Sequence, residues 1–406
     1  MRDKEDKRAR LTAPFVCLRS CPPRSQTSRY TTIISQRASP LPLATTSGCS
    51  SRPRTGPSVP SVAPERRQIA RMGGAAVEKE GLVIPLIDFS KFLHGTPDER
   101  KETAGEILRG FQNAGFIYLK NHPIPLDVVQ HTFSMSANFF RQSDEAKMDV
   151  AWTTPEANRG YSAPGKEKVS EQMDIGDITK ERDAAPDLKE SYEIGREGEE
   201  KHPNQWPQRE EGPMTGFKKD MLSFHDLCKG LHFQVMSAIA VGMGLDDGFF
   251  DKHLDVGDNT LRLLHYPAVD SSVFANNANA VRAGAHSDYG SITLLFQDAR
   301  GGLQVRSPTG TFVDATPIEG TIVVNAGDLL ARWSNDTIRS TIHRVVEPPF
   351  KQGPTYPARY SIAYFCNPNF SSFIEALPGT YAAEGEKKYP GITSGDYLVQ
   401  RLTATY

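Results

Sequence analysis

The chain has 406 residues, a formal net charge of −2, 38% hydrophobic residues and 9% aromatic ones. That is enough apolar material for a sizeable core in one large or two smaller domains. The near-neutral balance gives no sign of nucleic-acid binding, and no run of about 18 apolar residues exists to span a membrane as a helix.

The average conceals a split. Residues 1–71 hold 14 basic and 4 acidic residues, whereas the rest of the chain holds 33 basic and 45 acidic ones. Residues 1–80 are rich in Ser, Thr, Pro and Arg, have no hydrophobic period, and carry no acid between Lys7 and Pro64. Such a composition cannot bury enough apolar surface to offset chain entropy, so a disordered tail is predicted. Arg-rich, Ser-rich, acid-poor segments also serve as mitochondrial transit peptides, but Asp3, Glu5 and Asp6 oppose that here. The favoured expectation is a dispensable extension, with a native start at Met72. The expected compartment is the cytoplasm, or the mitochondrion should the tail prove to be a transit peptide. Of five cysteines, Cys17, Cys21 and Cys49 lie in the tail, leaving Cys228 and Cys366. No disulfide framework or metal-type pair is apparent, which suits a reducing compartment.

After an opening strand at 84–89, residues 98–114 carry Ala104, Ile107, Leu108 and Phe111 at helical spacing, and Gly115 marks the end. A strand follows at 116–119 and a second helix at 126–140, with Val128, Val129 and Phe133 inward. Residues 152–213 are polar and turn-rich, and a loop region of that length suggests a lid or substrate-binding element. A long amphipathic helix is predicted over 214–245, a buttress for the sheet that follows. From residue 260 onward short strands dominate, clearest at 261–266, 292–296, 303–305, 321–325, 341–346 and 359–365. Many short strands separated by turn residues argue for a sandwich or jelly roll. The expected divisions are a tail (1–80), an N-terminal region (81–213), the buttressing helix (214–256), the jelly-roll core (257–370) and a C-terminal segment (371–406).

Within that core stands His286-Ser287-Asp288, followed after 54 intervening residues by His343. In an extended strand residues i and i+2 share a face, so His286 and Asp288 can meet one ion while Ser287 points away. Two imidazoles and one carboxylate form the facial triad that holds non-haem Fe(II) and leaves three positions open. A lone His-x-Asp arises easily by chance among ten histidines. Here it runs into an apolar strand, and His343 sits mid-strand, where an unpaired imidazole would be costly to bury. After 15 intervening residues, Arg359-Tyr360-Ser361 places a guanidinium and a hydroxyl on one strand face. That pair can grip a carboxylate with charge-assisted hydrogen bonds. Iron with three open positions and an inward arginine suggest a dicarboxylate, with one end on the metal and the other on Arg359. The competing reading of Arg359 is an ordinary surface ion pair.

At these residues the chain resembles the isopenicillin N synthase-like group of Fe(II)/2-oxoglutarate-dependent dioxygenases. The segments at 84–89, 115–122 and 301–305 extend the resemblance, which covers roughly residues 83–400. It implies a mixed α+β fold: a double-stranded β-helix (jelly roll) core with flanking helices and an α/β N-terminal region. Carried over, His286, Asp288 and His343 would hold the iron, and Arg359 and Ser361 the distal carboxylate of 2-oxoglutarate. Tyr266 is a further candidate for that carboxylate, against a plain core aromatic. Leu264 and His265 depart from the family pattern, which has Asn and Tyr there, so a cosubstrate hydrogen bond from that Asn is absent. Arg159, Tyr161, Tyr192 and Phe365 are candidates for the substrate side, against simple packing.

The implied activity consumes 2-oxoglutarate and O₂, releases succinate and CO₂, and oxidises a small organic molecule. Hydroxylation is the usual outcome, and desaturation and ring closure are the variants. No catalytic side chain is expected beyond the metal centre. The expected partner is a small-molecule substrate, with no nucleic acid and no membrane, and the protein is expected to be a monomer. The alternatives are an iron oxidase that dispenses with 2-oxoglutarate and a non-catalytic jelly-roll binding protein. Substrate specificity lies in loops whose shapes do not follow from the sequence.

Overall fold

A computed structural model describes residues 74–167, 187–276, 281–348 and 353–405. The expectations for residues 1–73, including the start at Met72, lie outside the described residues. The last part of the expected tail is ordered, however: β1 (Ala75–Lys79) pairs antiparallel with β2 (Leu82–Asp88). The turn between them has Glu80 at φ 52° and Gly81 at φ 76°, the left-handed conformation that closes a tight hairpin. Ala76 and Val77 then pack on the core.

The N-terminal region proceeds through α1 (Ser90–His94), α2 (Pro97–Asn113), β3 (Phe116–Lys120), α3 (Leu126–Phe140) and α4 (Asp144–Met148). A capping box starts α2: the Thr96 hydroxyl accepts from the Glu99 N–H while the Glu99 carboxylate accepts from the Thr96 N–H. Strands β2 and β3 are parallel, with α2 within their crossover. Strands β4 (Gly160–Ser162) and β5 (Glu190–Gly195) come next, and the predicted long helix is α5 (Phe217–Gly242).

The body of the protein follows. Strand β6 (Thr260–Tyr266) leads into a short strand β7 (Val269–Asp270) and a single-turn helix α6 (Ser272–Asn276). Then come β8 (Ala283–His286), β9 (Ile292–Gln297), β10 (Leu303–Arg306), β11 (Phe312–Asp314) and β12 (Thr321–Ala326). Helix α7 (Asp328–Trp333) separates these from β13 (His343–Val345), β14 (Thr355–Tyr356) and β15 (Arg359–Cys366). A last helix, α8 (Ser394–Thr405), ends the described chain. Two sheets dominate. The large one runs β1-β2-β3-β12-β9-β15-β6-β5-β4, and the small one β11-β10-β13-β8. The two sheets with their flanking helices form the jelly roll that the resemblance implied.

Two expectations need correction. Residues 152–213 were expected as irregular chain, but they contain β4 and β5, which finish the large sheet. All six residues of β5 are buried although two are glutamates. Glu190 pairs with Lys147 at 2.9 Å and with His265 at 2.6 Å, and Glu193 pairs with Arg262 at 2.7 Å. Carboxylates neutralised inside the protein hide the strand from a hydrophobic pattern. The strand expected at 341–346 is also shorter, with only His343–Val345 in the ladder.

Each face of the large sheet has its own core. One face carries Leu263, Ile292, Leu294, Ile362 and Tyr364 against α2, α3 and α5. Phe224 of α5 meets Phe296 of β9 with ring centroids 5.1 Å apart, so α5 packs on the sheet. The other face presents Leu264, Tyr266, Val323 and Ala363 to Leu303, Val305 and Val345 of the small sheet. The functional side chains lie between the two sheets.

Buried in α5, His232 sits with its Nε2 3.2 Å from Ser291 Oγ. Burial pushes its imidazole pKa down to about 3. The neutral ring therefore contributes stability that is fully present above about pH 6.5, where an exposed histidine titrates. Below that, the unfolded chain takes up a proton that the folded chain does not. Stability then drops by about 1.4 kcal/mol per pH unit. His232→Gln, which cannot titrate, is expected to lose less stability than the wild type between about pH 6.5 and 5 in urea unfolding. Identical declines would contradict this account.

Candidate active site

His286 ends β8 and His343 begins β13, and the ladder sets them directly opposite one another. Their ring centroids are 4.5 Å apart. Asp288 lies two residues beyond the end of β8 and not within a strand, a correction to the expectation from its spacing. Its Oδ1 still reaches 3.9 Å from His286 Nε2 and 3.8 Å from His343 Nε2. The three ligand atoms fall within 4.8 Å of one another, close enough to share one metal ion. Ser287 turns away, its hydroxyl donating to Asp328 Oδ2 at 3.2 Å.

The donor set suits a divalent iron. His286 Nδ1 lies 2.7 Å from the Gly284 carbonyl and His343 Nδ1 lies 3.1 Å from the Thr341 carbonyl. A carbonyl can only accept, so each ring carries its proton on Nδ1 and presents the Nε2 lone pair to the common point. Burial pushes the His286 pKa down, which keeps the ring neutral. Burial pushes the Asp288 carboxyl up, but the two imidazoles and the hydrogen bonds from Asn325 and Thr293 outweigh it and hold it ionised.

The loop carrying Asp288 is fixed from behind by the start of α7. The Asp328 N–H donates to the Asp288 carbonyl at 2.8 Å, and the Gly327 N–H to the Ser291 carbonyl at 2.9 Å. A Cβ on Gly327 would lie 2.4 Å from the Gly290 carbonyl oxygen, so only glycine permits this approach.

The two-residue period of the large sheet supplies the opposite wall. From β15, Arg359, Ser361, Ala363 and Phe365 face the triad, and Leu264 and Tyr266 do so from β6. Arg359 is 1% exposed. It donates to the Gly301 carbonyl at 2.8 Å, to Ser361 Oγ at 3.0 Å and to Gln297 Oε1 at 3.3 Å. Its guanidinium carbon also lies 4.9 Å from the centre of the Tyr266 ring. These partners are neutral, so a buried cation faces the cavity, a place suited to an anionic group.

A second lobe extends from the triad toward the C-terminal helix, bordered by Arg262, Tyr289, Phe365, Leu398 and Leu402. The Arg262 guanidinium lies 5.2 Å from the Phe365 ring centre and holds Glu167 Oε1 at 3.0 Å. Lys189 pairs with Glu167 at 3.3 Å and more closely with Asp187, whose carboxylate accepts from the Gly284 N–H at 2.9 Å. Burial raises Glu167, but Arg262 and Lys189 outweigh it and keep the carboxyl well below its usual range. Helix α8 is anchored to the same region. Tyr289 Oη meets Thr405 Oγ1 at 2.7 Å, and Tyr397 donates to Asp328 at 3.1 Å.

Of the other residues singled out in the sequence, Phe365 and Tyr266 reach the cavity, whereas Tyr161 and Tyr192 pack in the helix-side core. Tyr192 packs at a tilt on Phe139 with ring centroids 4.3 Å apart, and the Tyr161 hydroxyl donates to Glu190 at 2.5 Å. Arg159 is buried behind the second lobe, where its neighbour Asn158 lines the wall. Arg262, Glu167, Tyr289, Leu398 and Leu402 were missed. Arg262 was within reach, since it shares its strand face with Leu264 and Tyr266. The helix residues carried no signal for a distant site.

Residues 84–209 match the family model described as non-haem dioxygenase in morphine synthesis N-terminal, and residues 257–368 match the 2OG-Fe(II) oxygenase superfamily. The chain is 68% identical to a full-length Neurospora crassa protein whose crystal structure is in complex with alpha-KG and thymine. That match covers 82% of this chain and 100% of the other, with a TM-score of 0.76. A second crystal structure of the Neurospora crassa protein, in complex with alpha-KG and 5-formyluracil, aligns at 64% identity over the same shares with a TM-score of 0.75. The proline hydroxylase buaE of Petromyces alliaceus is 36% identical over 79% of this chain and 98% of its own length. With matches to both family models and a His–Asp–His cluster built for iron, this chain belongs to the Fe(II)/2-oxoglutarate-dependent oxygenases, enzymes that use iron, 2-oxoglutarate and O₂.

Proposed function

We propose that the enzyme oxidises the 5-methyl group of thymine, as the free base, and then the more oxidised 5-substituents that result. The observation that carries this is the 68% identity, over the other chain's whole length, to the Neurospora crassa protein solved with thymine and with 5-formyluracil. Those two bases differ only in the oxidation level of the carbon on C5. A site that holds both suits stepwise conversion of methyl to hydroxymethyl, formyl and carboxyl. In the first step thymine, 2-oxoglutarate and O₂ become 5-hydroxymethyluracil, succinate and CO₂, with one oxygen atom entering 5-hydroxymethyluracil and the other succinate.

In this reading His286, Asp288 and His343 hold Fe(II), and Arg359 with Ser361 grips the far carboxylate of 2-oxoglutarate beside Tyr266. Bound iron, with 2-oxoglutarate and O₂, supplies the oxidant. The protein's own groups orient and desolvate. Phe365 offers an aromatic face to a flat pyrimidine, and the Arg262 guanidinium offers donors to its carbonyl oxygens. Leu398 and Leu402 keep water from that lobe. We read the protein as a cytoplasmic monomer that acts on a free small molecule and not on nucleic acid. The alternative that dispenses with 2-oxoglutarate is disfavoured by the alpha-KG held in the crystal structure of the Neurospora crassa relative.

Purified enzyme given Fe(II), ascorbate, 2-oxoglutarate and thymine should release one succinate per oxidation, with 5-hydroxymethyluracil as first product by mass spectrometry. Thymine that fails to stimulate 2-oxoglutarate turnover, with L-proline stimulating it instead, would refute this substrate. His343→Ala should show no turnover under the same conditions. For Arg359→Met, loss of hydrogen bonds from a charged group, about 1.5–3 kcal/mol, should raise the KM for 2-oxoglutarate roughly 10- to 150-fold. An unchanged KM would remove Arg359 from the cosubstrate site.

A further inference from the structure

We propose that Thr293 and Asn325 are positioning residues that dictate which oxygen of Asp288 meets the iron, an inference that rests on reading His286, Asp288 and His343 as its ligands. Because β8 stops at His286, no strand ladder orients the Asp288 side chain. Two neighbouring strands do so instead. Thr293 of β9 and Asn325 of β12 are direct cross-strand partners, and both are buried, at 4% and 2% exposure. The Thr293 hydroxyl donates to Asp288 Oδ2 at 2.6 Å, and Asn325 Nδ2 donates to the same oxygen at 2.7 Å.

The other oxygen, Oδ1, is the one turned to the two imidazoles. A carboxylate could lay both its oxygens on one ion, but that would use a position needed by cosubstrate or O₂. Two donors on Oδ2 commit that oxygen and leave Oδ1 alone for the metal. An ionised carboxylate only accepts, which also fixes the Asn325 amide with its NH₂ toward Asp288. Both residues line the cavity, yet their hydrogen bonds end on a ligand, so they act through Asp288.

Anaerobic Co(II) titration, read by visible absorption, tests this on the wild type and on T293V, T293S, N325A and H286A, each with its thermal unfolding midpoint. Loss of a hydrogen bond to a metal ligand typically costs roughly 10- to 100-fold in metal affinity. T293V and N325A should therefore bind Co(II) about 10- to 100-fold more weakly, while T293S, which keeps the hydroxyl, should bind as the wild type does. The charge-transfer absorption that forms when 2-oxoglutarate joins the Fe(II) enzyme should shift in T293V and not in T293S. If N325A fails to fold, the Thr293 pair decides alone. A folded T293V with wild-type affinity and spectrum would overturn the cradle, while loss of binding in H286A keeps the ligand assignment. Undiminished binding in H286A would overturn the ligand assignment itself.

Discussion

Across the ladder between β8 and β13, His286 faces His343, and the remainder of the site is arranged about that pair. A β-ladder has a side-chain period of two, so a slip of one residue would turn one imidazole out of the cavity. The register is held elsewhere in the small sheet, where β10 pairs with β13 on one side and with β11 on the other. The sheet in turn closes over Tyr266, Val323 and Ala363 of the large one. Metal-binding geometry is thus a product of sheet-on-sheet packing and not of a local loop. Asp288 is the exception. It takes its place from the start of α7 behind it and from two hydrogen-bond donors in front.

The cavity between the sheets is divided chemically by its charges. At one end Arg359 is a buried cation among neutral hydrogen-bond partners. At the other, Arg262 and Lys189 are already matched by Glu167, Glu193 and Asp187. An anion therefore gains most at the Arg359 end, because the cations at the other end already face carboxylates. A dianionic cosubstrate and an uncharged substrate, such as the thymine proposed above, can share one iron because the walls sort them. The network also reaches the metal ligands. Asp187 holds the Gly284 N–H, and the carbonyl of the same residue orients His286.

Much of this was legible in the sequence, for reasons that differ from residue to residue. Two-residue alternation placed Arg359 with Ser361, and the apolar strand after Asp288 marked β9. Helical spacing marked α2, α3 and α5. What escaped has a common cause: polar residues whose burial is offset by distant partners. Strand β5 reads as charged chain because its glutamates meet Lys147, His265 and Arg262 only in the folded state. Asp288 read as a strand residue because two of its true supports, Asn325 and Asp328, lie in a later part of the chain. Helix α8 gives no hint in its own sequence that Leu398 and Leu402 border a site built around His286. Tyr161 and Tyr192 stood in a polar stretch that suggested a substrate loop, and the fold uses them as core.

The account stands on iron and 2-oxoglutarate occupying the space between β8, β13 and β15 in one defined orientation. The most direct measurement is a crystal structure of the anaerobic Fe(II) complex with 2-oxoglutarate, with anomalous scattering recorded at the iron edge. The account predicts one anomalous peak bound by His286 Nε2, Asp288 Oδ1 and His343 Nε2, with the distal carboxylate of 2-oxoglutarate on Arg359 and Ser361. Iron bound elsewhere, or 2-oxoglutarate held with its distal carboxylate away from Arg359, would contradict it.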